Sequence, residues 1–288
     1  MVKLAFSKMQ GVGNDFVVVD GRARQSMAWN EAAIVLCDRK FGVGADGLLV
    51  LDNSKVADFA MRMFNPDGSP DVCGNGLRCI ARYAVERGLL ARDEMQIETL
   101  VDVRSAVVNR SESGGIESVT VAMGEPRFAA RDIPADSGNP DARLIDYPLP
   151  LLDSESLTIT ALSTGSTHSV TFSKELPDDA TFFRVSPLVE NHPIFPERTS
   201  LMWCKVAAPN RLQMRIWERG AGETWGCGTG ACAAAVVAIQ RGFAERDSPV
   251  YVASKGGELH ITWKTDGKIV MTGPAKFVFE GIFVLSPS

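Results

Sequence analysis

Apolar and polar residues alternate with a period of two along most of this chain, which is the pattern of strands buried on one face. We predict strands at residues 4–10, 15–20, 48–51, 57–64, 94–99, 101–109, 118–123, 157–162, 169–172, 200–206, 213–217, 259–263, 269–272 and 276–285. Between residues 124 and 155 the alternation gives way to a stretch rich in Pro, Asp and Ser, which predicts a connection between two lobes. Many strands with few helices indicate an α+β fold.

Two short helices are predicted from their start signals. Asn30 is a candidate N-cap for a helix that ends at Cys37. Ser186-Pro187 has the pattern of an N-cap followed by a first helical proline, for a helix that ends at Asn191.

A longer helix is predicted after each of two similar motifs. Cys73-Gly74-Asn75-Gly76 and Cys227-Gly228-Thr229-Gly230 both follow a strand and a turn-rich loop. The step from Cys73 to its Arg87-Gly88 pair equals the step from Cys227 to Arg241-Gly242. This internal repeat covers roughly half the chain. It predicts two pseudo-symmetric lobes, each a mostly antiparallel curled sheet around a central helix, with the active site in the cleft between them.

Composition narrows the kind of partner. The 288 residues are 45% hydrophobic and 23% charged, with a formal net charge of -5. An acidic chain without a basic run argues against nucleic acid and against an anionic membrane surface, so we expect a small-molecule partner. No apolar run approaches the ~18 residues of a membrane span, and the N-terminus lacks a signal-peptide pattern, so we expect a cytoplasmic protein.

Six cysteines are spread thinly along the chain, as expected for free thiols in a reducing compartment. The chain has three histidines and no Cys-x-x-Cys, which argues against a metal site. A free cysteine is often just a small buried hydrophobe. Cys73 and Cys227, however, each precede a glycine at a helix N-terminus, where backbone N–H groups and the helix dipole stabilise an anion.

A pair of such thiols suits the inversion of a stereocentre. One thiolate removes the proton on one face of a carbon and one thiol delivers a proton on the other. The helix N-termini would hold the substrate carboxylate and the charge that develops on it. A hydrolase or acyl transferase with one nucleophilic thiol would need a base beside it, and His168 is the only histidine near a motif. A non-catalytic binding module would not require both cysteines.

The motifs resemble those of the diaminopimelate epimerase family over nearly the whole chain. The matching segments are Met9-Gln10-Gly11-Val12-Gly13-Asn14-Asp15-Phe16, Phe41-Gly42-Val43-Gly44-Ala45-Asp46, Phe64-Asn65-Pro66-Asp67-Gly68-Ser69, Cys73-Gly74-Asn75-Gly76-Leu77-Arg78-Cys79, Phe195-Pro196-Glu197-Arg198, Glu218-Arg219-Gly220-Ala221-Gly222-Glu223-Thr224 and Cys227-Gly228-Thr229-Gly230. The resemblance implies a cofactor-independent enzyme that interconverts LL- and meso-diaminopimelate on the path to lysine and peptidoglycan. It also implies a homodimer.

By the same resemblance, Cys73 and Cys227 are the acid/base thiols. The positions that hold substrate in the family are occupied here by Asn14, Asn65, Gly74, Asn75, Glu218, Arg219, Gly228 and Thr229. His168 and Glu218 fall on positions that tune the thiols. The alternatives from the residues alone are a salt bridge for Arg219, a turn role for Asn65 and a purely structural role for His168. With the last strand returning to the first lobe, as in the family, we expect lobes of residues 1–128 with 275–288 and of residues 129–274.

Two serines depart from the common family pattern. Ser166 stands in Gly165-Ser166-Thr167-His168 where the family usually has Gly-Asn-Pro-His, and Ser200 stands where it usually has asparagine after Arg-x. A hydroxyl replaces an amide at each of these expected substrate contacts. A cofactor-independent racemase of another amino acid, such as histidine, is therefore the alternative to a diaminopimelate epimerase.

Overall fold

The computed structural model describes residues 2–152 and 155–285 of the chain. Within them the fold is α+β, as predicted. The helices are α1 (Trp29–Cys37), α2 (Gly74–Glu86), α3 (Asp179–Glu190) and α4 (Gly228–Gln240), with a 3-10 turn at Ala130–Asp132. The strands are β1 (Val2–Gly11), β2 (Asn14–Asp20), β3 (Gly47–Asp52), β4 (Phe59–Phe64), β5 (Pro70–Asp71), β6 (Glu94–Glu98), β7 (Val103–Arg110), β8 (Ile116–Gly124), β9 (Tyr147–Pro150), β10 (Ser156–Ser163), β11 (Thr167–Phe172), β12 (Ser200–Ala208), β13 (Arg211–Glu218), β14 (Gly222–Thr224), β15 (Val250–Ser254), β16 (Gly257–Trp263), β17 (Ile269–Gly273) and β18 (Lys276–Leu285).

The chain forms two compact units. Unit 1 consists of Met1–Ala122 and Thr272–Ser288, and unit 2 consists of Met123–Met271. In unit 1, the ten-residue strand β1 pairs antiparallel with β18, in a register that runs from Val2 opposite Leu285 to Gln10 opposite Lys276. The first and last strands of the chain therefore belong to the same unit.

Strand pairing follows the same order in the two units. In unit 1, β1–β2 is antiparallel, β2–β3 parallel, β3–β4 antiparallel, β4–β6 parallel and β6–β7 antiparallel. In unit 2, β10–β11 is antiparallel, β11–β12 parallel, β12–β13 antiparallel, β13–β15 parallel and β15–β16 antiparallel. The repeat inferred from the two cysteine motifs therefore extends to the topology of the surrounding strands.

Each unit packs one cysteine-capped helix against its own strands. Helix α2 lies on β1 and β7, and helix α4 lies on β16, β11 and β15. Each of these two helices has 13 residues, of which ten are buried; in α4 the buried residues are mostly alanine and valine. Separate apolar cores lie under α1 in unit 1 and under α3 in unit 2.

The prediction of Asn30 as a helix cap is wrong. Helix α1 starts two residues earlier than an Asn30 cap implies, at Trp29, and its N-cap Ala28 makes no side-chain capping bond. Trp29 is only 1% exposed and packs in the core of unit 1. Burial of this large side chain contributes more than a capping bond does, so packing sets the start of the helix.

The predicted start of the third helix at Ser186-Pro187 is also wrong. Helix α3 starts at Asp179, where the Asp178 side chain accepts a 2.8 Å hydrogen bond from Thr181 N. Pro187 lies inside the helix. The apolar face of α3 already begins at Phe182, which is fully buried, so the core recruits the turns before the proline.

Candidate functional site

The two cysteines occupy equivalent positions with nearly the same backbone geometry. Cys73 is the N-cap of α2 with φ -142° and ψ 116°, and Cys227 is the N-cap of α4 with φ -123° and ψ 110°. In each case the Sγ atom accepts a 3.4 Å hydrogen bond from a glycine N–H three residues on, Gly76 or Gly230. The hydroxyl oxygen of serine or threonine is a common N-cap acceptor, and the cysteine thiol is its sulfur analogue. Each sulfur therefore lies where a helix offers its unpaired backbone N–H donors.

The far ends of these helices match as well. Both C-caps, Arg87 and Arg241, have φ -84° and ψ 0°. The following glycines have positive φ, 65° for Gly88 and 74° for Gly242. At the C-terminus of each helix, a backbone N–H donates a hydrogen bond to one of the last helical carbonyls. The two helices therefore have the same length and the same geometry at both ends.

Asn14 lies beside Cys73. A tight turn with positive φ at both Val12 (51°) and Gly13 (82°) leads from β1 directly into β2, which begins at Asn14. Asn14 Oδ1 is 3.6 Å from Cys73 Sγ and accepts a 3.2 Å hydrogen bond from Asn75 Nδ2. A thiol and two amides that could hold a polar ligand therefore converge at the start of α2.

A charged network fixes the orientation of Asn14. Its Nδ2 group donates to Asp46 Oδ2 at 2.8 Å, which leaves Oδ1 facing Cys73 and Asn75. Arg39 pairs with both Asp15 and Asp46 at 2.7 Å. Burial raises the pKa of Asp15, but the hydrogen bonds from Arg39 and Lys8 outweigh it and hold that pKa at about 2. The sequence had identified Asp46 only as part of a motif, with no role.

Asn65 serves a turn. Its Nδ2 group donates to Ser69 Oγ at 3.1 Å and to Asp71 Oδ2 at 3.3 Å. Its backbone N–H donates to Ser69 O, and its carbonyl accepts from Gly68 N. The side chain thus shapes the loop between β4 and β5 that leads to Cys73.

The surroundings of Cys227 favour the protonated thiol. Burial raises the pKa of this thiol well above its usual value, and the neighbouring Glu218 carboxylate raises it further. Hydrogen bonds from Thr229 and the Gly230 N–H act in the opposite direction and are outweighed. Thr229 Oγ1 lies 3.5 Å from Cys227 Sγ, and Glu218 accepts a 2.5 Å hydrogen bond from Thr224 Oγ1.

His168 contacts this group through Ser166. The Ser166 Oγ atom is 3.1 Å from His168 Nε2 and 3.4 Å from Thr229 Oγ1. Burial lowers the pKa of His168 to about 3, and the positive charge of Arg219 contributes. The imidazole is therefore neutral near neutral pH, and Ser166 bridges it to the threonine beside Cys227.

Ser200 holds the backbone of the next candidate residue. Its Oγ accepts a 3.0 Å hydrogen bond from Arg219 N, and Arg219 Nη1 donates to Glu197 O at 2.9 Å. Both serines that replace family asparagines are thus hydrogen-bonded to other candidate residues of unit 2.

The structure gathers most of the predicted site residues into two groups, one in each unit. Cys73, Gly74, Asn14 and Asn75 lie together in unit 1, and Asn65 lies in the loop that precedes them. In unit 2 the group contains Cys227, Gly228, Thr229, Glu218, Ser166 and His168, with Arg219 and Ser200 paired beside it. Among residues 2–152 and 155–285 there is no cluster of three or more His, Cys, Asp or Glu side chains able to hold a metal ion. The same residues contain no helix long and apolar enough to cross a membrane.

Known proteins resemble this chain over nearly its whole length. The family model described as Diaminopimelate epimerase matches residues 6–129 and 160–278. A diaminopimelate epimerase of Heliobacterium modesticaldum is 41% identical over 283 residues, covering 96% of this chain and 99% of that protein. One from a Synechococcus strain is 44% identical over 286 residues, covering 97% and 98%.

Solved structures with low sequence identity share the fold. A probable proline racemase from Agrobacterium radiobacter superposes with a TM-score of 0.72 at 15% identity, covering 99% of this chain and 94% of that one. A PhzF-family phenazine biosynthesis protein of Bacillus anthracis gives 0.70 at 19% identity, covering 99% and 100%. From the extent of the family match and the identity to its curated members, this chain belongs to the diaminopimelate epimerase family.

Proposed function

We propose that this protein is a diaminopimelate epimerase, an isomerase that inverts one α-carbon and interconverts the LL and meso forms of the substrate. The observation that carries the proposal is the pair of cysteines at equivalent helix N-caps, within a chain of this family. The Heliobacterium and Synechococcus relatives bear this name, and the histidine racemase alternative has no comparable support.

The two thiols have different roles in the proposed reaction. Cys73 acts as the thiolate that removes the proton from one face of the α-carbon. Cys227, held as a thiol by burial and by Glu218, delivers a proton to the opposite face. After one turnover in this direction Cys73 carries the proton and Cys227 is the thiolate, so the reverse reaction uses the same groups with exchanged roles. This acid/base chemistry requires neither pyridoxal phosphate nor a metal ion.

The backbone N–H groups of Gly74 and Gly228 would receive the substrate carboxylate at the reacting end. They open α2 and α4, where unpaired donors stabilise the charge that develops as the α-proton leaves. Arg219 is suited to grip a carboxylate with two parallel hydrogen bonds.

The remaining candidate residues supply polar contacts. Asn14, Asn75 and Thr229 lie next to the cysteines and would bind polar groups of the substrate, and Asn65 would contribute from its loop. His168 and Glu218 would tune the thiols. Because Ser166 and Ser200 are engaged with His168 and Arg219, water or neighbouring groups would replace the missing amide contacts.

The decisive experiment is exchange of the α-proton with solvent deuterium by the reduced protein. LL-diaminopimelate and L-histidine are supplied in separate reactions, with Cys73→Ala and Cys227→Ala as controls. We expect exchange with diaminopimelate only, lost in both variants. Exchange with histidine alone would retain the two-thiol mechanism for a different substrate, and exchange with neither would refute the proposed function.

We also propose that the protein is a cytoplasmic homodimer. A reducing compartment keeps both cysteines available as thiols. On β18, Ile282 and Val284 lie on the same face and are 67% and 46% exposed, an apolar strip that a second copy would cover. We expect a dimer in sedimentation velocity and a monomer for Ile282→Lys. Val56→Lys, at an equally exposed apolar residue elsewhere in unit 1, should remain dimeric; a monomeric native protein would contradict the proposal.

A further inference from the structure

A buried carboxylate in unit 2 occupies an unfavourable place. Glu190 is the last residue of α3 and is only 6% exposed. The C-terminal end of a helix carries the negative end of its dipole, which disfavours an acidic side chain there. Burial of a carboxyl group adds a further cost unless strong hydrogen bonds compensate for it. The local sequence therefore gives no reason for an acidic residue at this position, and the explanation must lie in what it contacts.

Three donors from other segments converge on this carboxylate. Trp217 Nε1 donates to Oε2 at 2.6 Å, and Gly220 N donates to Oε1 at 2.8 Å. Arg198 Nη1 also donates to Oε1, at 3.0 Å. Both oxygens are thus engaged, with short distances that are typical of strong hydrogen bonds to a charged acceptor.

Two of these donors, Trp217 at the end of β13 and Gly220 in the turn that leads to β14, lie on either side of two candidate site residues in the sequence. Trp217 lies directly before Glu218 and Arg219, and Gly220 lies directly after them. The turn is closed by a 3.0 Å bond from Ala221 N to Glu218 O, and it needs positive φ at Gly220. Glu190 therefore fastens the turn on both sides of the pair.

We propose that Glu190 is a positioning residue, which clamps the β13–β14 turn so that Glu218 stays against Cys227 and Arg219 faces the substrate. It acts through those two residues and does not itself touch the substrate. The inference rests on the proposed epimerase function for its kinetic consequence, but its structural consequence at Cys227 is independent of the substrate.

Loss of the clamp should affect the turn and leave the rest of unit 2 in place. The Trp217 ring also packs edge-on against Phe182 and Phe183, with centroid distances of 5.7 and 6.2 Å. Strand β13 is paired with β12 and β15 as well. These contacts hold the strand, whereas the turn beyond Trp217 depends on the carboxylate.

The test is Glu190→Gln, which keeps the size of the side chain. It replaces one carboxylate oxygen with an NH₂ group, which cannot accept a hydrogen bond from the N–H groups that now contact the carboxylate. We expect KM for diaminopimelate to rise about tenfold, because a buried donor left unsatisfied weakens the turn that carries Arg219. Alkylation of Cys227 by iodoacetamide, followed site by site by mass spectrometry, should become about threefold faster as Glu218 moves away and the thiolate population grows. Cys204 and Cys232, buried in the same unit, should stay unlabelled.

Glu155→Gln is the matched control, since it makes the same change in an exposed ion pair with Arg184. Its KM and its Cys227 alkylation rate should equal those of the native protein. If Glu190→Gln unfolds and labels all three cysteines, Trp217→Phe decides by the same criteria, because it removes only the donor to Oε2. Native KM and native Cys227 alkylation in the folded variant would overturn the proposal. If the protein proved inactive on diaminopimelate, native Cys227 alkylation alone would overturn it.

Discussion

The Glu218→Gln substitution tests the electrostatic control of Cys227 directly. The amide keeps the shape of the side chain and can still contact the Thr224 hydroxyl, which now donates to Glu218 Oε1. What is lost is the negative charge that, after burial, raises the pKa of the Cys227 thiol. The thiol pKa should therefore fall in the variant.

The size of this effect follows from the interaction that is removed. A hydrogen bond to a charged group contributes about 1.5–3 kcal/mol, and 1.36 kcal/mol corresponds to one pKa unit, so we expect a fall of about one to two units. Below the pKa, each unit gives about ten times more thiolate. Nucleophilicity falls with the thiol pKa at a Brønsted slope of ~0.4–0.5, so alkylation should accelerate about threefold to fifteenfold.

The assay is the rate of Cys227 alkylation by iodoacetamide over a pH series, in a Cys73→Ala background so that one candidate catalytic thiol remains. Glu223→Gln is the control, because its carboxylate pairs with Arg215 Nε at 2.8 Å on the same β13–β14 segment. The control should leave the alkylation profile almost unchanged. A Glu218→Gln profile that coincides with the control, or that moves to higher pH, would refute the reasoning.

Three further predictions concern stability and redox state. Because the folded pKa of His168 is about 3 against an ordinary 6.5, its contribution to stability is complete above pH 6.5 and is lost as the pH falls towards 3. In His168→Phe, the thermal unfolding temperature should depend less steeply on pH over that range. A pH dependence as steep as that of the native protein would contradict this. Gly42→Ala should destabilise the protein by about 1–3 kcal/mol in urea unfolding, since the added Cβ would lie 2.8 Å from Leu36 O and 2.9 Å from Asp38 O, backbone atoms that cannot swing aside; equal or greater stability would count against that clash. Mild oxidation should abolish proton exchange through a disulfide between Cys73 and Cys227, with recovery in dithiothreitol, because both thiols act on one carbon in the proposed mechanism; an oxidised, disulfide-linked protein with full activity would exclude that mechanism.

The repeated elements could be predicted from sequence because their signals are local. A cysteine before Gly-x-Gly and an Arg-Gly pair mark the start and end of α2 and α4, and both helices have these bounds in the structure. Helix α3 shows the opposite case. Ser186-Pro187 is a good local start signal, but Phe182 packs in the core and the helix begins near Asp178 instead.

The residues of the candidate site also differ in whether local sequence reveals their role. Cysteines and glycines at a helix start can be recognised from their order in the chain. Asp46 and Glu190 cannot be assigned a role in this way, because each acts on residues far away in sequence, Asn14 in one case and Gly220 in the other. Strands β5, β9, β14 and β15 are absent from the predicted strands. β5 and β14 are only two and three residues long, β9 contains two prolines, and β15 begins with four apolar residues in a row, so none shows alternating apolar and polar positions.

The pairing of β1 with β18 has a consequence for synthesis on the ribosome. Unit 2 is continuous in sequence, so all of it has been made before the last strand appears. Unit 1 contains β1, which precedes unit 2, yet its ten-residue partner β18 is translated only after the whole of unit 2. A nascent chain therefore cannot complete the unit that carries Cys73 until all of unit 2 has been synthesised, and premature termination before Lys276 leaves the edge of β1 open to pairing with another chain.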